Sequence, residues 1–330
     1  MLGTPKAYLR IVILATLTSL CFAQDPADSP SVLRSVIVNV FDAHAIAIRD
    51  LTKDNFRIRL NGKPVPVLDA RYTTAPQRIV VLLDVSGSMT DDNAKWNIAR
   101  EAVSDLLAQT PKAVPIAMLT FTDDIRDVFD FSQSREAIAE WLDGPGRRPI
   151  LKHRAKTALF DAILAGLKQF GAVQVGDSLY AITDGGDNAS TNSEKQTQAA
   201  LLQSPVRLYS FLFAQPFGSP SGFCVSRGCR GERESFVSMV VDSGGRSLGF
   251  TPAINRGPGT LAYVYDDAIR EKVRIWTQLF NLQISDFWTL DLAAPPSDKK
   301  RDIKLDVVNT EGKVRKDVTL TYPRLLPPSR

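Results

Sequence analysis

Cysteine and histidine are scarce in this sequence, which contains three cysteines and two histidines in 330 residues. The cysteines are Cys21, Cys224 and Cys229, and the histidines are His44 and His153. These side chains are too few and too scattered to predict a zinc site, which needs a clustered set of nitrogen and sulfur ligands. A serine hydrolase needs a histidine base beside its nucleophile, and neither histidine stands in such a pattern.

A strong excess of charge is also missing. The formal net charge is +4 and the isoelectric point is about 8.9, although charged residues make up 23% of the chain. Such a mild balance gives no electrostatic reason to expect binding to nucleic acid or to an acidic membrane surface. Partners therefore have to be inferred from individual sites.

Long apolar runs are missing except near the start of the chain. Residues 11–20 are apolar, follow Lys6 and Arg10, and lead into the short segment that ends at Ala23. This run is shorter than the ~20 residues that span a bilayer, and it is typical of a secretory signal peptide. We predict a signal peptide over residues 1–23 and a secreted, periplasmic or cell-surface protein without a transmembrane segment. A lipoprotein attached through Cys21 is a weaker alternative.

Removal of that segment leaves Cys224 and Cys229, with four residues between them, in a stretch rich in glycine and serine. In an oxidising compartment we expect these two thiols to form a local disulfide. The surrounding loop, residues 214–234, follows a predicted strand. It is either a specificity loop beside the site described below or a variable insertion.

The patterning of the chain divides it into segments. Period-two alternation near both ends predicts strands of a small sheet, and Asn61-Gly62 is a hairpin signal. The predicted segments are a flexible leader over 24–32, an N-terminal β segment over 33–75, an α/β domain over 76–284, a C-terminal β segment over 285–323 and a tail over 324–330. We expect the two β segments to pair into one β-sandwich, because about 45 residues alone bury little core; two separate appendages are the alternative.

Within residues 76–284, strands alternate with helices, starting with the continuous apolar run of residues 79–83. Such a run is typical of a strand that is buried on both faces. The alternation predicts a doubly wound α/β fold with a six-stranded, mostly parallel sheet, whose ligands bind at the carboxyl ends of the strands. The last helix is predicted over 263–282, and a final strand over 314–322.

Oxygen-bearing side chains follow three of these predicted elements. Asp84, Ser86 and Ser88 alternate after the first buried strand, Thr157 precedes a helix, and Asp184 ends another strand. Two carboxylates and three hydroxyls are hard donors, which suit Mg²⁺, Mn²⁺ or Ca²⁺ and do not suit zinc or copper; we expect Mg²⁺ or Mn²⁺ at this site. The two carboxylates balance the charge of a divalent ion. Because the remaining ligands are neutral hydroxyls and water, the ion can still accept a carboxylate from outside.

In this arrangement the chain resembles the von Willebrand factor type A (VWA) family, in particular secreted bacterial members with flanking β segments. The metal-ion-dependent adhesion site of that family reads Asp-x-Ser-x-Ser, then Thr, then Asp, and all five positions are matched. The resemblance covers residues 78–282. It implies a Rossmann-like fold and a metal that binds an acidic residue of a partner protein. The alternative for the motif alone is a turn with a helix cap.

Two further features lie close to the motif. Asp91 and Asp92 have a spacing similar to the adjacent metal site of integrin β-subunits, where the ion would be calcium, but acids also favour the first turn of a helix. A basic run before Thr157 includes Arg147, Arg148 and Arg154. We expect this run at the same rim as the metal, where it would attract an acidic partner surface.

The pattern bears on three possible functions: an enzyme, a binding module and a structural subunit. A haloacid dehalogenase-type phosphotransferase would need a second aspartate where Ser86 stands, so we predict that the chain is not an enzyme. The favoured interpretation is a secreted, metal-dependent protein-binding module of the adhesion type. The alternative is a structural subunit of an envelope complex that uses the same site.

Overall fold

The structure is a computed structural model, and it describes residues 31–74, 77–147, 156–213, 232–250, 253–255 and 261–329. The predicted signal peptide, most of the predicted leader, Arg148, Arg154 and both members of the predicted Cys224–Cys229 disulfide lie outside these residues. Within the described ranges, no helix has the length and apolar character needed to cross a membrane.

The described strands and helices follow one another along the whole chain. The strands are β1 Val32–Phe41, β2 Phe56–Leu60, β3 Lys63–Val65, β4 Val67–Thr73, β5 Ile79–Asp84, β6 Ile116–Phe121, β7 Ile125–Phe129, β8 Ser178–Thr183, β9 Arg207–Phe213, β10 Ser247–Phe250, β11 Ala253–Asn255, β12 Leu261–Tyr263, β13 Phe287–Ala294, β14 Arg301–Val307, β15 Thr319–Thr321 and β16 Leu325–Leu326. The helices are α1 Gly87–Thr90, α2 Asn93–Gln109, α3 Arg135–Asp143, α4 Leu159–Gln169, α5 Glu194–Gln203, α6 Glu232–Asp242 and α7 Asp267–Ser285, with short 3-10 helices at Lys53–Asn55 and Pro145–Arg147.

The central sheet has six strands in the order β10-β9-β8-β5-β6-β7. All neighbours are parallel except β7, which returns antiparallel beside β6. Every residue of β5, β6, β8 and β9 is buried, because apolar helices cover both faces. One core contains residues of α2, α3 and α7, and the other contains residues of α4, α5 and α6. The predicted doubly wound α/β fold is confirmed.

The segments before and after this domain share two antiparallel sheets, ordered β15-β1-β13-β4 and β16-β14-β2-β3. β1 pairs with β13, and β2 pairs with β14, so each sheet contains strands from both ends of the chain. Alternate apolar side chains of the two sheets form a third core between them. The α/β domain is thus inserted between β4 and β13 of a β-sandwich.

Three segments differ from their sequence-based predictions. The last helix begins at Asp267, because the carboxylate of Asp266 accepts from the backbone N–H of Ile269 at 2.9 Å and Leu261–Tyr263 pairs as a strand with β11. The expected strand over 314–322 is reduced to β15 and a single bridge at Val314. The expected tail contains β16, which pairs with β14.

Candidate metal centre

The candidate ligands lie where β5 and β8 end. These strands are parallel neighbours, with Leu83 opposite Ile182, and so their carboxyl ends meet at one edge of the sheet. Asp84 is the last residue of β5, and Asp184 directly follows β8. The edge of the sheet therefore brings together the two carboxylates that stand 100 positions apart in the numbering.

The carboxylate of Asp84 is completely buried. Its Oδ1 accepts from the backbone N–H of Ser86 at 2.9 Å, and its Oδ2 accepts from the hydroxyl of Thr183 at 2.6 Å. Burial, and then the negative charge of Asp184, raises the pKa of Asp84 to about 6, against the lowering effect of these hydrogen bonds. A second carboxylate this close disfavours ionisation unless a cation is shared.

The two serines stand on the turn that leads from β5 into the short helix α1. Their hydroxyl oxygens are 3.2 Å apart, with Ser86 buried and Ser88 exposed. The backbone carbonyl of Ser86 accepts from the backbone N–H of Met89 at 3.0 Å, which fixes the turn. Ser88 thus connects a largely buried set of oxygens to the solvent.

Asp184 is 5% exposed and forms an ion pair with Lys95 of α2, whose Nζ lies 3.0 Å from its Oδ2. Burial acts to raise the pKa of Asp184, but the Lys95 ammonium and hydrogen bonds from Ser88 and the Gly186 backbone hold that pKa below its usual value. The contact with Ser88 ties the end of β8 to the turn after β5. Asp84, Ser86, Ser88 and Asp184 thus form one connected group.

Thr157 reaches the same edge from the start of α4 and is 5% exposed. Its backbone N–H donates to Oδ1 of Asn188 at 2.9 Å, and its carbonyl accepts from the backbone N–H groups of Asn188 at 2.9 Å and Ala189 at 3.1 Å. Asp187 accepts from the backbone N–H of Phe160 at 2.9 Å and so caps the helix. The loop that begins with Asp184 therefore holds Thr157 in place.

The donor chemistry of these side chains fits a hard divalent ion. They offer two carboxylates and three hydroxyls, a set that is suited to Mg²⁺ or Mn²⁺. Among the residues that the structure describes, no group of three or more histidine, cysteine, aspartate or glutamate side chains is placed to hold a metal. Hydroxyl oxygens would therefore have to complete the ligand set here.

Three residues of this centre were not identified from the sequence. Lys95 pairs with Asp184, Thr183 donates to Asp84, and Asn188 holds the Thr157 backbone. Thr183 and Asn188 stand within a few residues of Asp184, which was a usable signal. Lys95 lay on the side of α2 that is otherwise apolar, and a lysine in that row was the signal for a buried charge.

The two acids proposed for a second metal, Asp91 and Asp92, have different roles in the structure. The carboxylate of Asp92 caps α2 by accepting from the backbone N–H groups of Ala94 at 2.9 Å and Lys95 at 3.1 Å. Asp91 is exposed at the end of α1. Asp92 is therefore the N-cap of α2, one position before the first turn in which the alternative interpretation placed both acids.

Arg147 is the described member of the predicted basic rim. It is exposed and ends the 3-10 helix Pro145–Arg147. The indole N–H of Trp96 donates to the carbonyl of Gly146 at 2.9 Å, which fixes this short helix beside α2. Since Trp96 follows Lys95 in the chain, Arg147 stands on a segment attached to the same end of α2 as the candidate metal centre.

Solved structures similar to this chain have low sequence identity. They include an aerotolerance-related membrane protein from Bacteroides fragilis, with 17% identity over 63% of this chain and 98% of that chain and a TM-score of 0.43. BatB from Bacteroides thetaiotaomicron has 16% identity over 62% of this chain and 98% of that chain, with a TM-score of 0.42. A von Willebrand factor type A protein from Catenulispora acidiphila has 12% identity over 90% of this chain and 73% of that chain, with a TM-score of 0.41.

Similarities of this size do not indicate a function. No curated protein sequence matches this chain. The family model described as the von Willebrand factor type A domain matches residues 79–186, which begin with β5 and include all the candidate ligands from Asp84 to Asp184. Residues 79–186 of the inserted α/β domain are therefore similar to the von Willebrand factor type A domain.

Proposed function

We propose that this chain is a secreted, non-enzymatic binding protein that uses a divalent ion to hold an acidic residue of a partner protein. The observation that carries the proposal is the joint placement of two buried carboxylates and three hydroxyls at one edge of the sheet. Asp84, Ser86, Ser88, Thr157 and Asp184 would hold Mg²⁺ or Mn²⁺. The bound ion would supply a positive charge and an open coordination position.

The surroundings of the ligands favour binding over turnover. Asp84 and Asp184 are each held by hydrogen bonds from the protein, which is typical of fixed metal ligands. His44 is exposed on the sandwich, after β1, and is not part of the candidate centre. We therefore propose no catalytic step for these residues.

The exposed position of Ser88 supports access by a large partner. The other candidate ligands are buried, so a carboxylate must approach from the side where Ser88 meets solvent. Arg147 would add positive charge on this approach and favour an acidic partner surface. An acidic surface with a projecting aspartate or glutamate is the partner chemistry that we propose.

Calorimetric titration of residues 24–330 with Mg²⁺ and Mn²⁺ tests the metal site. We expect about one ion per chain, since the donor set makes one site, and loss of binding in Asp84→Ala. Asp124→Ala is a matched control, because Asp124 is an exposed carboxylate in the turn after β6 at the same edge of the sheet. Its metal binding should equal that of the unaltered chain.

The partner step is tested with acetate as a carboxylate probe. On the Mn²⁺-loaded chain, acetate should displace metal-bound water and lower the relaxation enhancement of water protons. The enhancement itself should vanish in Asp84→Ala. Failure of the unaltered chain to bind either ion, or binding that Asp84→Ala leaves intact, would contradict the proposed function. A metal that binds without any response to acetate would contradict the proposed binding of a partner carboxylate.

A further inference from the structure

Lys95 is a charged side chain in an almost completely buried position. It is the third residue of α2, and its side chain is 3% exposed. It shares the buried face of that helix with Ala99, Ala102 and Leu106. Burying an ammonium is costly unless fixed partners replace the water that it loses, so this lysine needs a structural reason.

The partners of Lys95 all belong to the candidate metal centre or border it. Its Nζ donates to Oδ2 of Asp184 at 3.0 Å and to the backbone carbonyl of Ser88 at 2.7 Å. The same nitrogen lies 5.6 Å from the ring centre of Phe213 and 5.8 Å from that of Tyr263. Two oxygens and two aromatic faces thus surround the charge, which makes the position specific for a cation.

The charges of the centre explain what this cation does. Asp84 and Asp184 are both buried at the ends of adjacent strands, and they are close enough for the charge of Asp184 to act on Asp84. Two carboxylates with one ammonium carry a formal charge of −1, whereas the two carboxylates alone would carry −2 without any counter-ion. An uncompensated buried charge strongly destabilises a fold.

We propose that Lys95 is a built-in counter-cation of this centre. It holds Asp184 and balances its charge while no divalent ion is bound, and it weakens the binding of that ion by repulsion. The second half rests on the proposed function, because it needs a divalent ion at the site. The first half concerns the metal-free protein alone. Lys95 acts here as a positioning residue that determines the affinity for the ion.

The metal-free half is tested by thermal unfolding of EDTA-treated protein. Lys95→Met keeps the length of the side chain and removes its charge, and we expect a melting temperature on the order of 10 °C lower. Adding Asp184→Asn should recover most of that loss, since the carboxylate that needs the cation is then neutral. Lys168→Met, at an exposed lysine of α4, is the control and should melt like the unaltered chain.

Either of two results would overturn the counter-cation role. One is a Lys95→Met chain that melts like the unaltered chain. The other is a double variant that melts as low as Lys95→Met, which would show that Lys95 contributes packing alone. If Lys95→Met does not fold without metal, refolding of the double variant under the same conditions still decides the question.

The metal-dependent half is tested by calorimetry and by the shift of melting temperature with Mg²⁺. Removal of the repulsion should tighten Mg²⁺ binding by about tenfold, and the Mg²⁺-induced shift should be larger in Lys95→Met than in the unaltered chain. Equal or weaker Mg²⁺ affinity in Lys95→Met would refute this half. If the unaltered chain itself binds no Mg²⁺, the proposed function fails, while the metal-free comparison still decides the role of Lys95.

Discussion

The side-chain amide of Asn39 donates a hydrogen bond of 2.7 Å to the backbone carbonyl of Asp286, the residue between α7 and β13. The same amide donates to the carbonyl of Gln283 at 2.8 Å, and its oxygen accepts from Nη1 of Arg207 at 2.9 Å. Asn39 is 0% exposed and Arg207 is 1% exposed. One buried side chain thus joins β1 of the sandwich to α7 and β9 of the α/β domain.

Replacing this amide should destabilise the whole chain. Asn39→Leu would leave two carbonyls and the Arg207 guanidinium without their partner in a buried position. We expect the free energy of unfolding to fall by about 3 kcal/mol. Equilibrium unfolding in urea measures this, with Asn93→Leu, at an exposed asparagine, as the control. A loss below about 1 kcal/mol would show that the junction does not depend on Asn39.

Gly245 should not tolerate a side chain. A Cβ at this position would lie 1.8 Å from the carbonyl oxygen of Leu208, which belongs to the backbone of β9 and cannot rotate away. We expect Gly245→Ala to lose more than about 3 kcal/mol of stability or to yield no folded protein. Gly171→Ala is the matched control, because Gly171 has a φ of +58° and a methyl group added there would meet nothing within 4 Å, so its cost should be about 1 kcal/mol.

The two acids after α1 should differ in their effects. Asp92→Ala removes the cap of α2 and should lower the free energy of unfolding by about 1 kcal/mol. Asp91→Ala should leave stability within about 0.5 kcal/mol, because Asp91 is exposed. Calorimetric titration with Ca²⁺ distinguishes these roles from a second metal site. Calcium binding that both substitutions abolish would contradict the capping interpretation.

Asp161 should contribute to the pH dependence of stability. Burial acts to raise the pKa of Asp161, but hydrogen bonds from Thr191 and Asn192 hold that pKa below its usual value. Because the folded-state pKa is the lower one, the carboxylate stabilises the fold fully above about pH 4, and this stabilisation is lost as the pH falls through the folded-state pKa. Urea unfolding between about pH 2 and 6 should show a shallower acid decline for Asp161→Asn than for the unaltered chain. Parallel curves would contradict this role.

The ends of the buried strands were predictable, and with them much of the candidate centre. A run such as residues 79–83 is apolar throughout, so the first polar residue after it, Asp84, marks the edge of the sheet. Asp184 follows β8 in the same way. Since parallel strands end at one edge, local patterns were enough to place these two carboxylates together.

Other contacts depend on the folded chain and leave little trace in the local sequence. Arg207 stands at the start of a strand, where an arginine normally reaches solvent, but its partner Asn39 is 168 residues away and belongs to the sandwich. The apolar row around Lys95 indicates burial, but its partner Asp184 is 89 residues away in the sequence. The partner of a buried charge follows from packing, which periodicity does not specify.

The insertion of the α/β domain between β4 and β13 also has a mechanical consequence. Both connections enter the same sheet as adjacent antiparallel strands, and β13 is paired with β1 on its other side. A pull on a partner held at the far edge of the α/β domain would reach the sandwich along the length of these strands. Since β4 and β13 would be pulled in the same direction, the backbone hydrogen bonds between β13 and β1 would bear the load together, in shear, instead of opening one after another.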